Sequence, residues 1–196
     1  MNQTLAAYAD MARAYAQRTQ AIDMDAERSF LLDRLPSMSC DILDAGCGSG
    51  RDIAHFLSLG HSVQAFDGCA ELAQHARLAT GVEVQVARFD ELVFRSQFDG
   101  VWACASLLHL DEVALLDALR RLRQALRPKG VLCAVMKQGE GTSVGSDGRF
   151  YRYTTPADFQ HQLSAAGFGS CEWLRAESYI GEPTTWLTFV ARPLPR

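Results

Sequence analysis

Apolar residues recur along the 196-residue chain in two rhythms, one of three to four and one of two, and their succession predicts most of the elements. Near the start, Tyr8, Met11 and Tyr15 share one face of an Ala-rich run, which predicts a helix over 2–18. A second helix is expected over 25–35, opened by an acidic residue and stopped by Pro36. Then a pattern of short apolar run, turn and amphipathic stretch repeats. It predicts strands over 41–45, 63–66, 82–87 and 98–104, with helices over 51–59 and 70–80 ending at Gly60 and Gly81. Asp111 caps a longer helix reaching 126, whose Leu115, Leu119, Leu122 and Leu126 mark its apolar face. Pro128-Lys129-Gly130 turns into a strand over 131–137, and the glycine-rich stretch 139–148 reads as a mobile loop. Thr155-Pro156-Ala157-Asp158 has the capping hydroxyl, the proline and the acid of a helix start, and that helix ends at Gly167. Two β-rich runs, 170–179 and 186–192, joined by Gly181-Glu182-Pro183, close the chain as a hairpin-like pair.

Strands alternating with helices and closing on a hairpin imply an α/β fold. The expectation is a doubly wound, mostly parallel seven-stranded sheet with an antiparallel C-terminal hairpin and an N-terminal helical extension. The length suits a single domain over 1–196.

Charge and cysteine usage narrow the function. A net charge of −4 gives no global positive field to draw the chain onto nucleic acid or an anionic membrane, and weakly favours a small-molecule partner. Arg120, Arg121, Arg123 and Arg127 lie on the polar face of the long helix, either as a nucleic-acid footprint or as a solvated face that favours the helix dipole; the second reading is preferred. The six cysteines show no CxxC pair and no histidine at zinc-finger distance, so no metal site is expected. Most sit in apolar runs, as small hydrophobes suited to a reducing cytoplasm. With no signal-like start and no run of 18 apolar residues, a soluble cytosolic protein is expected.

The turn after the first strand, Asp44-Ala45-Gly46-Cys47-Gly48-Ser49-Gly50, carries the chemistry. Glycines at alternate positions let the backbone pass close to a ligand where a Cβ would intrude, although a tight turn without a ligand has the same composition. Asp67 ends the second strand, 19 residues beyond Gly48, where an acid can accept both hydrogen bonds of a ribose diol. Asp90 follows the third strand, where its carboxylate can accept from an adenine amino group. Each acid alone is equally a helix cap or a loop acid; their succession favours a nucleoside. A dinucleotide fingerprint needs its third glycine where Arg51 stands, and Asp44 would repel a pyrophosphate but can accept from an amino group, directly or through water.

Residues 42–50 resemble the first motif of class I, Rossmann-like S-adenosylmethionine-dependent methyltransferases. The resemblance continues through Phe66-Asp67, Phe89-Asp90, Phe98-Asp99-Gly100-Val101 and Leu126-Arg127-Pro128-Lys129-Gly130, specifically over 40–137 and loosely over the whole chain. It implies S-adenosyl-L-methionine as cofactor. The methionyl part would lie on Asp44, Gly46, Cys47 and Gly48, the ribose on Asp67 with Gly68, and adenine on Phe89 and Asp90. Cys104 and Ala105 would face the cofactor mainly through backbone. Residues 1–36 would form helices or a lid, with Tyr8, Tyr15 and Arg18 as candidates for the methionyl carboxylate, although simple packing explains the tyrosines as well. The segment 138–196 would then supply a substrate loop, a helix and the strand pair.

Methyl transfer from a sulfonium needs orientation and exclusion of water more than a base. If a base exists, His109 is the candidate, by its place after the fourth strand and its ordinary pKa near neutrality. The acceptor side would draw on Leu107, Leu108, Lys137, Arg149, Tyr151 and Tyr153, whose mixed cations and aromatics suit an anionic or planar acceptor, or anchor a flexible lid. The expected activity is methyl transfer to a small molecule. A tRNA nucleoside, tellurite or a thiol as acceptor stays open, as does a non-catalytic protein that only binds the cofactor; oligomeric state is not readable.

Overall fold

The computed structural model describes residues 3–177 and 184–195. Two helices, α1 (Gln3–Thr19) and α2 (Asp25–Leu32), precede the alternating core. The core runs β1 (Asp41–Ala45), α3 (Arg51–Ser58), β2 (Ser62–Asp67), α4 (Ala70–Thr80), β3 (Val84–Val86), β4 (Phe98–Cys104), α5 (Glu112–Ala125) and β5 (Leu126–Gln138). The chain continues through β6 (Thr142–Val144), β7 (Phe150–Thr154), α6 (Pro156–Ala165), β8 (Phe168–Ala176) and β9 (Trp186–Pro193).

Seven strands have the order β3-β2-β1-β4-β5-β9-β8, parallel through β5 with the antiparallel C-terminal pair that the sequence pattern predicts, and β7 and β6 bring the sheet to nine strands rather than seven. The turn proposed at Gly181-Glu182-Pro183, and Tyr179, lie outside the described residues. Period-two alternation sorts the strands between two layers. Ile42, Trp102, Cys133 and Val135 face Leu31 of α2 and Ile53 and Phe56 of α3. Leu43, Val101, Leu132, Ala134 and Phe189 face Leu115, Leu119 and Leu122 of α5 and Phe159 and Leu163 of α6. The outer helix α1 packs Tyr8 and Ala12 on Cys69 and Leu72 of α4.

One segment departs from expectation. The stretch read as a mobile loop, with the aromatic run after it, forms the antiparallel β6–β7 hairpin, paired from Thr142↔Arg152 to Val144↔Phe150. The frequent glycines masked the pattern, and β6 is too short to show a period. β7 joins β5 in parallel at Lys137↔Tyr153, two residues beyond the last β4 pair, Cys104↔Val135. Because β9 occupies the other edge of β5 up to Lys137↔Trp186, β7 takes the edge that β4 vacates.

Three of the four arginines expected on the long helix are structural, and Arg127 lies not on α5 but in β5. Arg121 reaches Asp117 and the Leu92 carbonyl, Arg123 donates to the carbonyls of Gly167 and Leu194, and Arg127 bridges Asp41 and Asp99.

Beneath the glycine loop the buried Asp52 carboxylate collects donors from three elements. Arg28 of α2 reaches Oδ1 through Nε and Nη2 at 2.9 and 2.6 Å, Arg51 spans both oxygens at 3.0 and 2.7 Å, and Trp102 Nε1 reaches Oδ2 at 2.9 Å. Burial alone would raise this carboxyl; the bonds and charges of Arg51 and Arg28 outweigh it and bring it below the usual range. Asp52→Ala leaves a buried guanidinium without its anion and is expected to cost about 3–5 kcal/mol. Trp102→Phe removes one bond to a charged acceptor, for about 1.5–3 kcal/mol. Urea unfolding of both variants against wild type measures the order.

Candidate active site

The C-terminal ends of parallel strands open a crevice between helices, and the β1–α3 turn stands at its centre. The amides of Gly46 and Cys47 both donate to the Phe66 carbonyl, at 3.0 and 3.1 Å, and hold the turn against β2. Gly46 has φ +79°, and a Cβ there would meet Ser106 Cβ at 2.5 Å, so packing alone demands glycine. Gly48 differs. At φ +56° the nearest atom to an added Cβ is Tyr15 Cε1, at 3.6 Å, so protein packing leaves space there and the side chain would point into open cavity.

Two buried acids flank the turn. Asp67 accepts from Gly48 N on Oδ2 and from Cys69 N on Oδ1, each at 2.8 Å, which orients the carboxylate and leaves lone pairs on both oxygens. Burial raises its pKa to about 6, against those two amide bonds. Asp44 is raised well above the carboxylate range by burial and the nearby Asp52 charge, with Arg51 opposing. Its Oδ2 has no hydrogen-bond partner among the described residues. An orphaned buried carboxyl oxygen beside an open glycine turn fits a ligand bearing an ammonium group.

Two cavities meet at this turn. One, of about 280 Å³, runs past Asp67, Gly68, Phe89 and Asp90 under Leu5 of α1. The other, of about 650 Å³, holds Arg18, Asp44, Cys47, Lys137, Arg149, Tyr151 and Tyr153. Tyr8, Tyr15, Gly46, Gly48, Cys104, Ala105 and His109 line both. The larger volume is within the range of small-molecule sites. Phe89 stands edge-on to Phe66 at 5.1 Å, while the exposed Asp90 carboxylate is bridged by Arg88 at 3.0 and 2.8 Å. Ala105 adopts φ +51°, a left-handed conformation that a non-glycine residue seldom takes, at the junction of the cavities. Leu107 is a correction: it is fully buried in the core and lines neither cavity, whereas Leu108 lines the larger.

Around His109 the helix α1 is stitched to β7. Imidazole Nδ1 stands 2.6 Å from the Phe150 carbonyl, which can only accept, so Nδ1 carries the proton and Nε2 accepts from the Tyr8 hydroxyl at 2.9 Å. Arg149 donates to Tyr8 Oη at 3.0 Å, and Phe150 N donates to Thr4 Oγ1 at 3.0 Å. Burial lowers the His109 pKa to about 4.

Arg51 and Trp186, which also line the larger cavity, were not singled out as site residues from the sequence. A signal for Trp186 existed: β9 runs antiparallel, so its first residue meets the C-terminal ends of the parallel strands. Among the described residues no group of three or more His, Cys, Asp or Glu could hold a metal ion, and no helix is long and apolar enough to cross a membrane.

This fold, with two cavities meeting at a glycine turn between two buried acids, belongs to a known class. Residues 42–130 match the methyltransferase domain family, and the chain belongs to the class I S-adenosylmethionine-dependent methyltransferases. The cofactor of that family is S-adenosylmethionine. Over 97% of its length it superposes on 85% of Burkholderia thailandensis 1,6-didemethyltoxoflavin-N1-methyltransferase, solved with 1,6-didemethyltoxoflavin and S-adenosylhomocysteine, with a TM-score of 0.80 and 26% identity. It is 31% identical over 137 residues to the malonyl-[acyl-carrier protein] O-methyltransferase of Erwinia pyrifoliae, and 32% over 130 residues to that of Enterobacter lignolyticus. Those matches take in 68% and 65% of this chain but 51% and 50% of the relatives, so the chain spans about half the length of the curated relatives it matches.

Because burial lowers the His109 pKa, its imidazole stays neutral until the pH falls to about 4, well below an exposed histidine near 6.5. A two-dimensional NMR titration of the histidine ring protons, assigned with His109→Gln, is expected to show that midpoint. By linkage this group favours the fold above about pH 6.5 and withdraws its contribution as pH falls from there toward 4.

Proposed function

We propose that the chain moves the methyl group of S-adenosylmethionine onto a small-molecule acceptor held in the larger cavity, in a single cytoplasmic catalytic domain. The observation that carries this reading is the junction of the two cavities at Gly48, Tyr15 and His109, with nucleoside-type partners on one side and aromatic and cationic side chains on the other. The curated relatives are named for malonyl-[acyl-carrier protein] and the solved neighbour holds a toxoflavin precursor, so their acceptors differ and neither is assigned to this chain. Six free cysteines suit a reducing compartment.

When bound, S-adenosylmethionine supplies a methyl carbon already activated by a positive sulfur. The residues bind and orient. Asp67 accepts from the ribose hydroxyls, Asp44 takes the amino group on its unpartnered oxygen, and Phe89 with Asp90 flanks the adenine. Cys47 and the turn glycines hold the methionyl chain, with Cys104 and Ala105 opposite, and Arg18 is assigned its carboxylate. Tyr8 and Tyr15 of α1 exclude water. In this reading His109 is a positioning residue, because its basic nitrogen already accepts from Tyr8 and its affinity for a proton is low. Catalysis then comes from proximity and alignment.

Calorimetric titration with S-adenosylmethionine is expected to give saturable binding and titration with NADH none. Asp67→Ala, which loses charge-assisted bonds, should weaken the former by about tenfold or more. Binding of NADH alone would overturn the reading. Because burial raises the Asp67 pKa to about 6, a proton competes with the ribose hydroxyls for the carboxylate. S-adenosylhomocysteine affinity is therefore expected to be flat above about pH 7 and to fall below about 6, by up to about tenfold per unit. Asp67→Asn removes that limb.

A further inference from the structure

Strand pairing puts one cation into the wall of the larger cavity. Lys137, the penultimate residue of β5, pairs with Tyr153 of β7 on one edge and Trp186 of β9 on the other. Its ammonium stands 4.1 Å from the centre of the Tyr151 ring and 5.5 Å from that of Trp186. The rings hold Nζ in place and shield it from water, and they carry no net charge to neutralise it.

The other charges around Lys137 are already committed. Asp147, on the loop before β7, accepts from Arg149 Nε and Nη2 on Oδ2, at 2.8 and 2.6 Å, and from the Arg149 amide on Oδ1. Arg149 Nη1 donates to Tyr8 Oη, and its guanidinium stands over the Tyr8, Tyr151 and Tyr15 rings at 5.0, 5.3 and 6.0 Å. His109, which also faces Lys137, has Nδ1 bound to the Phe150 carbonyl. Among the described residues no carboxylate lies within ion-pair distance of Lys137. A half-buried cation fixed between aromatic rings in a concave pocket attracts an anion and disfavours a cation. The hydroxyls of Ser143 and Tyr153, hydrogen-bonded to each other at 3.1 Å across the hairpin, lie along the same wall, and the one that accepts in that bond keeps a proton to donate to an anionic oxygen.

Building on the methyltransferase reading, we propose that the acceptor is an organic acid whose carboxylate pairs with the Lys137 ammonium while its planar or apolar part lies among Tyr151, Tyr153 and Trp186. Neutral and cationic analogues of the same shape lack that pairing. Lys137 is thus a specificity-determining residue for charge.

Benzoate and its neutral isostere benzamide probe the site directly. Each is titrated by NMR into the protein saturated with S-adenosylhomocysteine, in wild type, K137M and K137R. The expected result is that wild type prefers benzoate by about tenfold or more, that K137M loses the preference, and that K137R keeps most of it. S-adenosylhomocysteine affinity should stay unchanged in both variants. If K137M does not fold, K137Q provides the same comparison. Equal affinity for the two probes, binding of neither, or a benzoate preference that survives in K137M overturns the proposal. If wild-type protein does not bind S-adenosylhomocysteine, the cofactor reading itself fails and this proposal with it; intact cofactor binding with any of the former results refutes the acid-acceptor proposal alone.

Discussion

The Asp52 carboxylate, sunk beneath the glycine turn, is the interaction on which the rest of the structure depends. It draws Arg28 from the N-terminal extension, Arg51 from the first turn of α3 and the indole of Trp102 from the central strand onto one group. A charge buried this deeply persists only with full compensation, and supplying it from three elements locks the extension onto the sheet. Arg51 also donates to the Thr19 carbonyl at the end of α1. The same negative charge acts on Asp44 and helps keep that acid high in pKa, so the structural knot sets the electrostatics of the ligand turn above it.

The site is assembled at one edge of the sheet from segments far apart in sequence. Parallel strands bring their C-terminal ends there, and β9 brings its first residue there because it runs the other way. The β6–β7 hairpin exploits the stagger between β4 and β5: where β4 stops, an edge of β5 becomes free, and β7 fills it with Tyr151 and Tyr153 toward the cavity.

The alternation of strands and helices was legible from the period of apolar residues, because the central strands β1, β4, β5 and β9 are buried on both faces and the helices packed on them on one. Asp44, Gly46, Gly48 and Asp67 were legible too, since a turn between a parallel strand and the next helix has few geometric solutions. What escaped depends on tertiary pairing. In the sequence Arg51 stands out only as a residue that is not glycine, whereas its role follows from Asp52 beside it and Cys104 across the sheet. Leu107 and Leu108 are chemically alike, and only the short 3₁₀ turn over Leu107–His109 decides which faces the core and which the cavity. The β6–β7 hairpin was hidden by glycines whose turns join strands too short to show a rhythm.

Helix α1 lines both cavities through Tyr8 and Tyr15, and its hydrogen bonds to His109, Arg149 and the Phe150 amide tie it to β7 and the loop before it. Occupants of the two cavities would therefore share one cover. An acceptor that steadies β7 steadies α1 as well, and binding equilibria through a common element are reciprocal: the factor by which the acceptor tightens retention of the cofactor is the factor by which the cofactor tightens the acceptor. Filling both chambers would thus give this small fold a means of cooperativity without a second subunit.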